Sequence, residues 1–98
     1  MMTAILIPAF NAAKTLGNLL ERIPQNIGDR CIVVVDDGSS DDTSRIAAGA
    51  GAVVIRHEHN RGKGAALRSG FKYVLASTRS DSVLTMDADL QHDPAEIS

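Results

Sequence analysis

The sequence predicts an α/β fold: a Rossmann-like, mainly parallel sheet with flanking helices. Short apolar runs alternate with stretches of helical periodicity along all 98 residues. The runs are rich in β-branched residues and too short for helices, as expected of strands buried on both faces. Alternation with short connections then favours parallel strands joined by right-handed crossovers.

Residues 3–7 form a first strand, which Pro8 is expected to stop because it has no N–H to donate. Leu16, Leu19, Leu20 and Ile23 recur at i, i+3, i+4 and i+7, one apolar stripe of a helix whose end Pro24 and Gly28 punctuate. Residues 31–35 hold three consecutive valines and read as a strand covered on both sides. Ser40 or Asp41 can cap the next helix, with Thr43, Ile46, Ala47 and Ala50 inward and Gly49 and Gly51 loosening its end. Residues 52–55 are a third strand. Leu67, Phe71, Val74 and Leu75 stripe a third helix beginning near Gly62 and Lys63, and residues 83–86 are a fourth strand. Asp93 and Pro94 suit the start of another helix.

Composition narrows the function. Apolar residues make up 44% of the chain, as in globular domains. Ten Lys and Arg against twelve Asp and Glu give a net charge of −2, which excludes a nucleic-acid binder held by bulk charge. Phe10, Phe71 and Tyr73 are the only aromatics, too few for a base-stacking platform. Cys31 is the sole cysteine and reads as a buried, inert thiol opening an apolar run. No apolar stretch approaches the ~20 residues of a membrane span, and the N-terminal run lacks the basic flank of a signal peptide. A cytoplasmic location is expected, with any contact at the cytoplasmic face of a membrane made through segments outside these residues.

The acids point to a site. Asp outnumbers Glu nine to three, and seven of the nine Asp lie within residues 36–42 and 87–93. Asp belongs to caps, turns and metal sites rather than helix surfaces. In parallel sheets ligands bind beyond the carboxyl ends of the strands, and those ends carry residues 8–11, 36–39, 57–63 and 87–91. Asp87 and Asp89, two residues apart after a strand, can reach one hard cation, with Gln91 as a neutral oxygen ligand; such a set suits Mg²⁺ or Mn²⁺. Asp36 or Asp37 can accept from a ribose hydroxyl or a base N–H, whereas Ser40, Asp41 and Asp42 read as caps. Two adjacent carboxylates repel, so one of the pair needs a partner. Residues 56–64 form a basic, glycine-containing loop leading into a helix N-terminus, a setting that favours an anion. They complete neither a Walker loop nor a dinucleotide fingerprint, and His57 and His59 lack the matching pair a zinc site needs. Together the parts describe a site for a nucleoside diphosphate.

Pro8-Ala9-Phe10-Asn11, the run from Val35 through Asp36, Asp37, Gly38 and Ser39 to Thr43, Asn60-Arg61-Gly62-Lys63-Gly64, and the run from Met86 through Asp87, Ala88, Asp89 and Gln91 to Pro94 resemble the motifs of family 2 glycosyltransferases. Within that family the resemblance is nearest to dolichyl- or polyprenyl-phosphate mannosyltransferases and glucosyltransferases. It implies a GT-A fold, with residues 1–98 as the N-terminal, nucleotide-sugar-binding half of a catalytic domain. It also implies a GDP-mannose or UDP-sugar donor, a polyprenyl-phosphate or glycan acceptor, a Mg²⁺ or Mn²⁺ ion, and inversion at the anomeric carbon. Carried over by position, Pro8, Phe10, Val35 and Asp37 line the nucleoside pocket. Asp87, Ala88, Asp89 and Gln91 hold the diphosphate, with Asp87, Asp89 and Gln91 on the metal and Asp89 as the catalytic residue. The family often has Tyr where Phe10 stands and Glu where Ala12 stands.

Other readings remain at this point. A sugar nucleotidyltransferase shares the α/β sheet and acidic metal ligands, but usually opens with a glycine-rich loop that residues 8–13 lack. A receiver-type signalling domain also binds metal at strand ends, but with acids after strands one and three rather than two and four. An inactive truncated module, marginal in stability and prone to pair into a homo-oligomer through exposed sheet edge, is expected of 98 residues alone.

Overall fold

The computed structural model describes residues 2–23, 29–77 and 80–88, and its first strand, β1 (Met2–Ala9), sets the layering. Side chains alternate across a strand. Ile5, Ile7 and Ala9 therefore join one core, and Ala4 and Leu6 another on the opposite face. β2 (Asp29–Asp36) divides likewise, Val34 to the first core and Val33 and Val35 to the second. The valine run is buried on both sides because it needs both periods at once, as expected of a central parallel strand.

β3 (Val53–Arg56) and β4 (Ser82–Thr85) complete a four-stranded sheet of order β3-β2-β1-β4, every pairing parallel. α1 (Ala13–Arg22) and α2 (Thr43–Gly49) connect strands stepping one way and cover the face of Ile5 and Ile7. α3 (Lys63–Ser77) returns across the sheet to β4 and covers the other face. Reversing the direction of travel while keeping one crossover hand must change the face. The reversal falls between β1 and β4, and such a switch point is where open α/β sheets leave a crevice for ligands. The receiver reading fails on this topology, since that fold orders its strands 2-1-3-4-5.

Four expectations need correction. Pro8 does not stop β1, which runs on to Ala9 with Pro8 opposite Val35. The carbonyl of Ala9 accepts from Asp37 on the β2 side, and that of Leu6 accepts from Met86 on the β4 side. By alternation Pro8 turns its missing donor toward β4, whose pairing has already ended at Leu6 and Thr85. The inner face of α2 ends at Ala47; Ala50 lies past the helix and is exposed.

The stripe expected on α3 is rotated. Ala66, Gly70 and Val74, at i, i+4 and i+8, face the sheet, with Leu67 partly buried, while Phe71 is 38% and Leu75 82% exposed. The helix lies so close to β1 that a Cβ on Gly70 would come 2.1 Å from Leu6 Cδ1. Only small residues fit under that approach, so the larger apolar ones turn outward. Cys31 is only partly buried, against the α3 side. Pro24, Gly28, Asp93 and Pro94 lie outside the described residues.

Candidate functional site

Two loops at the carboxyl end of the sheet are stitched together by side chains. Asn11 takes a left-handed backbone, φ +48°, between β1 and α1. Its amide donates to Ser39 Oγ at 2.8 Å, and its Oδ1 accepts the Ser40 amide at 2.8 Å. The Ala12 amide donates to Thr43 Oγ1 and the Ala13 amide to Asp41 Oδ2, at 3.0 and 3.2 Å. The first orphan amides of α1 are thus satisfied from the start of α2. Asp41 also accepts the amide and hydroxyl of Thr43, so one carboxylate serves two helix N-termini. Burial pushes the Asp41 carboxyl up, but the Thr43 hydroxyl and the Ala13 and Thr43 amides hold it below its usual value. Asp42 pairs with Arg45 at the surface. Ala12 is buried in the α1 core, so the position where the family often has Glu is used here for packing.

Asp36 and Asp37 are both inside. Asp36 Oδ1 accepts the Ser39 amide at 2.8 Å, and Oδ2 accepts from the Ser44 hydroxyl and, at 3.2 Å, from Arg56. Asp37 is 3% exposed. Its Oδ1 accepts from His57 Nδ1 at 2.7 Å and the Arg61 amide at 2.9 Å, and its Oδ2 from the Gly62 amide at 2.8 Å. Burial pushes the Asp37 carboxyl up; the His57 hydrogen bond and the two amides outweigh it and hold it below the ordinary value of 3.8. Each member of the acidic pair therefore has its own cation or donor set, Arg56 for one and His57 for the other. The need for a partner was legible in the sequence; its identity was not. Gly38 follows at φ +79°, where a Cβ would meet the His59 carbonyl carbon at 2.6 Å. The β2–α2 and β3–α3 loops touch there through bare backbone.

Between these loops and β1 opens a cleft of about 190 Å³, lined by Pro8, Phe10, Asp37, Asn60, Gly62 and Lys63 among others. It is smaller than the ~300–1,000 Å³ of complete ligand sites and suits one part of a ligand, such as a base. Pro8, Phe10 and Asp37 thus meet as expected. The side chain of Val35 does not join them: it is 0% exposed and packs beneath α3. At the mouth, Lys63 Nζ lies 3.0 Å from Asp87 Oδ2, both groups open to solvent. Ala88 is buried, and its carbonyl accepts from the Thr15 hydroxyl, tying the end of β4 to α1. Asp89 and Gln91 lie outside the described residues. Among the described residues no cluster of three acidic, His or Cys side chains could hold a metal.

Residues 4–98 match the Glycosyl transferase family 2 model. The chain belongs to that family. An uncharacterized protein of Methanocaldococcus jannaschii is 44% identical over 95% of this chain and 37% of its own length. Undecaprenyl-phosphate 4-deoxy-4-formamido-L-arabinose transferase of Klebsiella pneumoniae is 35% identical over 96% of this chain and 31% of its own. Glucosyl-3-phosphoglycerate synthase of Mycobacterium tuberculosis, crystallised with Mn²⁺, UDP and glucosyl-3-phosphoglycerate, has a similar structure. Its TM-score is 0.71 at 32% identity, over 90% of this chain and 33% of the synthase. This family 2 chain thus spans about a third of the length of those proteins. Its sheet is the α/β sheet of GT-A glycosyltransferases, as expected, and the nucleotidyltransferase reading gives way to the family assignment.

Proposed function

We propose that the chain is the nucleotide-sugar-binding half of an inverting, metal-dependent hexosyltransferase. It would take a GDP-mannose- or UDP-glucose-type donor and serve a polyprenyl-phosphate acceptor. One observation carries the reading: a cleft with a buried carboxylate opens beside an exposed Lys63–Asp87 pair, at the point where the sheet order reverses. The Klebsiella relative, named for an undecaprenyl-phosphate acceptor, and the synthase crystallised with UDP and Mn²⁺ support it.

In this reading Pro8 and Phe10 flank the base, and the acceptor position left on Asp37 takes a nucleoside N–H or hydroxyl. Asp87 fits a divalent ion: a hard oxygen donor, open to solvent, at a strand end. With Asp89 and Gln91 it would hold Mg²⁺ or Mn²⁺, and Asp89 is the residue nearest the chemistry. The bound ion supplies positive charge to the departing diphosphate. Lys63 adds a second cation at the same mouth. A phosphate acceptor is already an anionic nucleophile and needs no general base from these residues. No helix among the described residues is long and apolar enough to cross a membrane. The 98 residues are expected to bind donor without transferring sugar, because a donor half-site cannot place an acceptor in line with the anomeric carbon. Val83 and Leu84, exposed on β4, offer the surface through which such a fragment would pair with a second copy.

Calorimetric titration with UDP and GDP tests the reading. One nucleotide should bind in the presence of Mn²⁺ and lose at least about tenfold in affinity with EDTA, a difference that Asp89→Ala erases. Equal binding with and without EDTA overturns the metal role. Binding of neither nucleotide overturns the donor.

A further inference from the structure

Behind the cleft runs a hydrogen-bonded chain from Asp37 through His57 to Ser69. Asp37 follows β2, His57 follows β3, and Ser69 lies on α3. His57 is 7% exposed, and both ring nitrogens are engaged. Nδ1 is 2.7 Å from Asp37 Oδ1 and Nε2 is 2.8 Å from Ser69 Oγ. An ionised carboxylate only accepts, so Nδ1 carries a proton. In the neutral ring Nε2 is then the bare nitrogen, and the Ser69 hydroxyl donates to it.

The carboxylate of Asp37 has about four acceptor positions. His57, Arg61 and Gly62 fill three, leaving one on a side chain that lines the cleft. The two amides belong to a loop in which Glu58, His59, Asn60 and Arg61 are all exposed. The imidazole does not. His57 is buried, its own amide donates to the Asp36 carbonyl at 2.9 Å, and its ring reaches back to α3. It ties the carboxylate to the packed frame of the sheet, where the amides tie it only to the loop.

We propose that His57 is a positioning residue for the carboxylate that reads the nucleoside, its ring anchored to α3 by the Ser69 hydroxyl at Nε2. The ligand in this proposal rests on the nucleotide-sugar reading; the geometry does not. His57 is buried and does not line the cleft, so its loss should weaken recognition of the nucleoside through Asp37 and leave diphosphate binding alone.

Two amide substitutions separate the two ring nitrogens. Asn places a donor near the Nδ1 position; Gln places one near Nε2. In the presence of Mn²⁺, His57→Gln should lower affinity for whichever of UDP or GDP binds by about tenfold, while His57→Asn stays within about threefold of wild type. Both should bind inorganic pyrophosphate as the wild type does. Equal losses in the two variants, no loss in either, or a parallel loss of pyrophosphate overturns the proposal. Ring-nitrogen NMR of the unliganded wild-type protein at about pH 8, above the ordinary imidazole range, tests the geometry without a substitution that could unfold it. In the neutral ring the expected signature is a protonated Nδ1 and a bare Nε2, retained in Ser69→Ala because the Asp37 carboxylate alone fixes the proton. A wild-type Nε2–H tautomer overturns the proposal. Wild-type protein that binds pyrophosphate but neither nucleotide overturns the donor reading instead, and the ring-nitrogen signature still reports on His57 in that case.

Discussion

The acids after β2 and the acid after β4 occupy matching places, at the carboxyl ends of the two strands that flank β1. Their environments are opposite. Asp36 and Asp37 are buried and accept six hydrogen bonds from protein groups between them. Asp87 is 44% exposed, beside a lysine that is more exposed still. The difference follows from what covers each strand end. The β3–α3 loop folds over Asp37, while Ser39, Ser44 of α2 and Arg56 of β3 enclose Asp36, and both carboxylates become clamps. The end of β4 lies at the reversal in the sheet, where open α/β sheets leave a crevice. An acid at a strand end becomes a clamp where neighbouring elements supply its donors, as they do for Asp36 and Asp37.

Substitutions should expose that contrast most sharply in stability. Asp37→Ala strands the His57 ring and two amides without an acceptor, and should cost about 3 kcal/mol. Urea denaturation gives the value directly, and an unchanged midpoint would show that Asp37 is not a clamp. Gly38→Ala comes next, at about 1–3 kcal/mol. A Cβ there meets backbone atoms of His59 and Asn60 at 2.6 and 2.7 Å, and neither can swing aside as a side-chain tip would. A variant as stable as wild type would mean that the two loops separate freely.

Acid should also distinguish the regions. Asp37 and Asp41 are both held below 3.8 in the folded chain. A depressed carboxylate stabilises the fold fully above its unfolded value, and the contribution is lost as pH falls through the lower folded value. The urea midpoint should change little on account of these groups from pH 7 to about 5 and then fall below about pH 4. Asp37→Asn should flatten that fall; the same acid limb in variant and wild type would assign it elsewhere. The smallest effect on stability belongs to Asp87→Asn, less than about 1 kcal/mol for an exposed pair. On the proposed function, the same change should weaken Mn²⁺-dependent nucleotide binding by about tenfold. A stability loss as large as that of Asp37→Ala would erase the distinction between the two regions.

Local pattern was enough for much of this protein. The burial of β2 on both faces, the stripe of α1, and the order of strands and helices that brings residues 8–11, 36–39 and 57–63 to one edge of a parallel sheet are all legible in order and spacing. Each depends on chain geometry that repeats every two or 3.6 residues. Partners distant in sequence were not legible. Nothing near Asp37 names His57, twenty residues on, or Ser69 beyond it. Nothing near Asp41 says that it caps α1 as well as α2. The buried face of α3 also escaped, because hydrophobicity favours Phe71 and Leu75 while the sheet admits only the small face through Ala66 and Gly70. Periodicity tells that a helix has an inner side. Which side it is, and which donor meets which buried carboxylate, is decided by how closely the layers pack, and that distance exists only once the chain has folded.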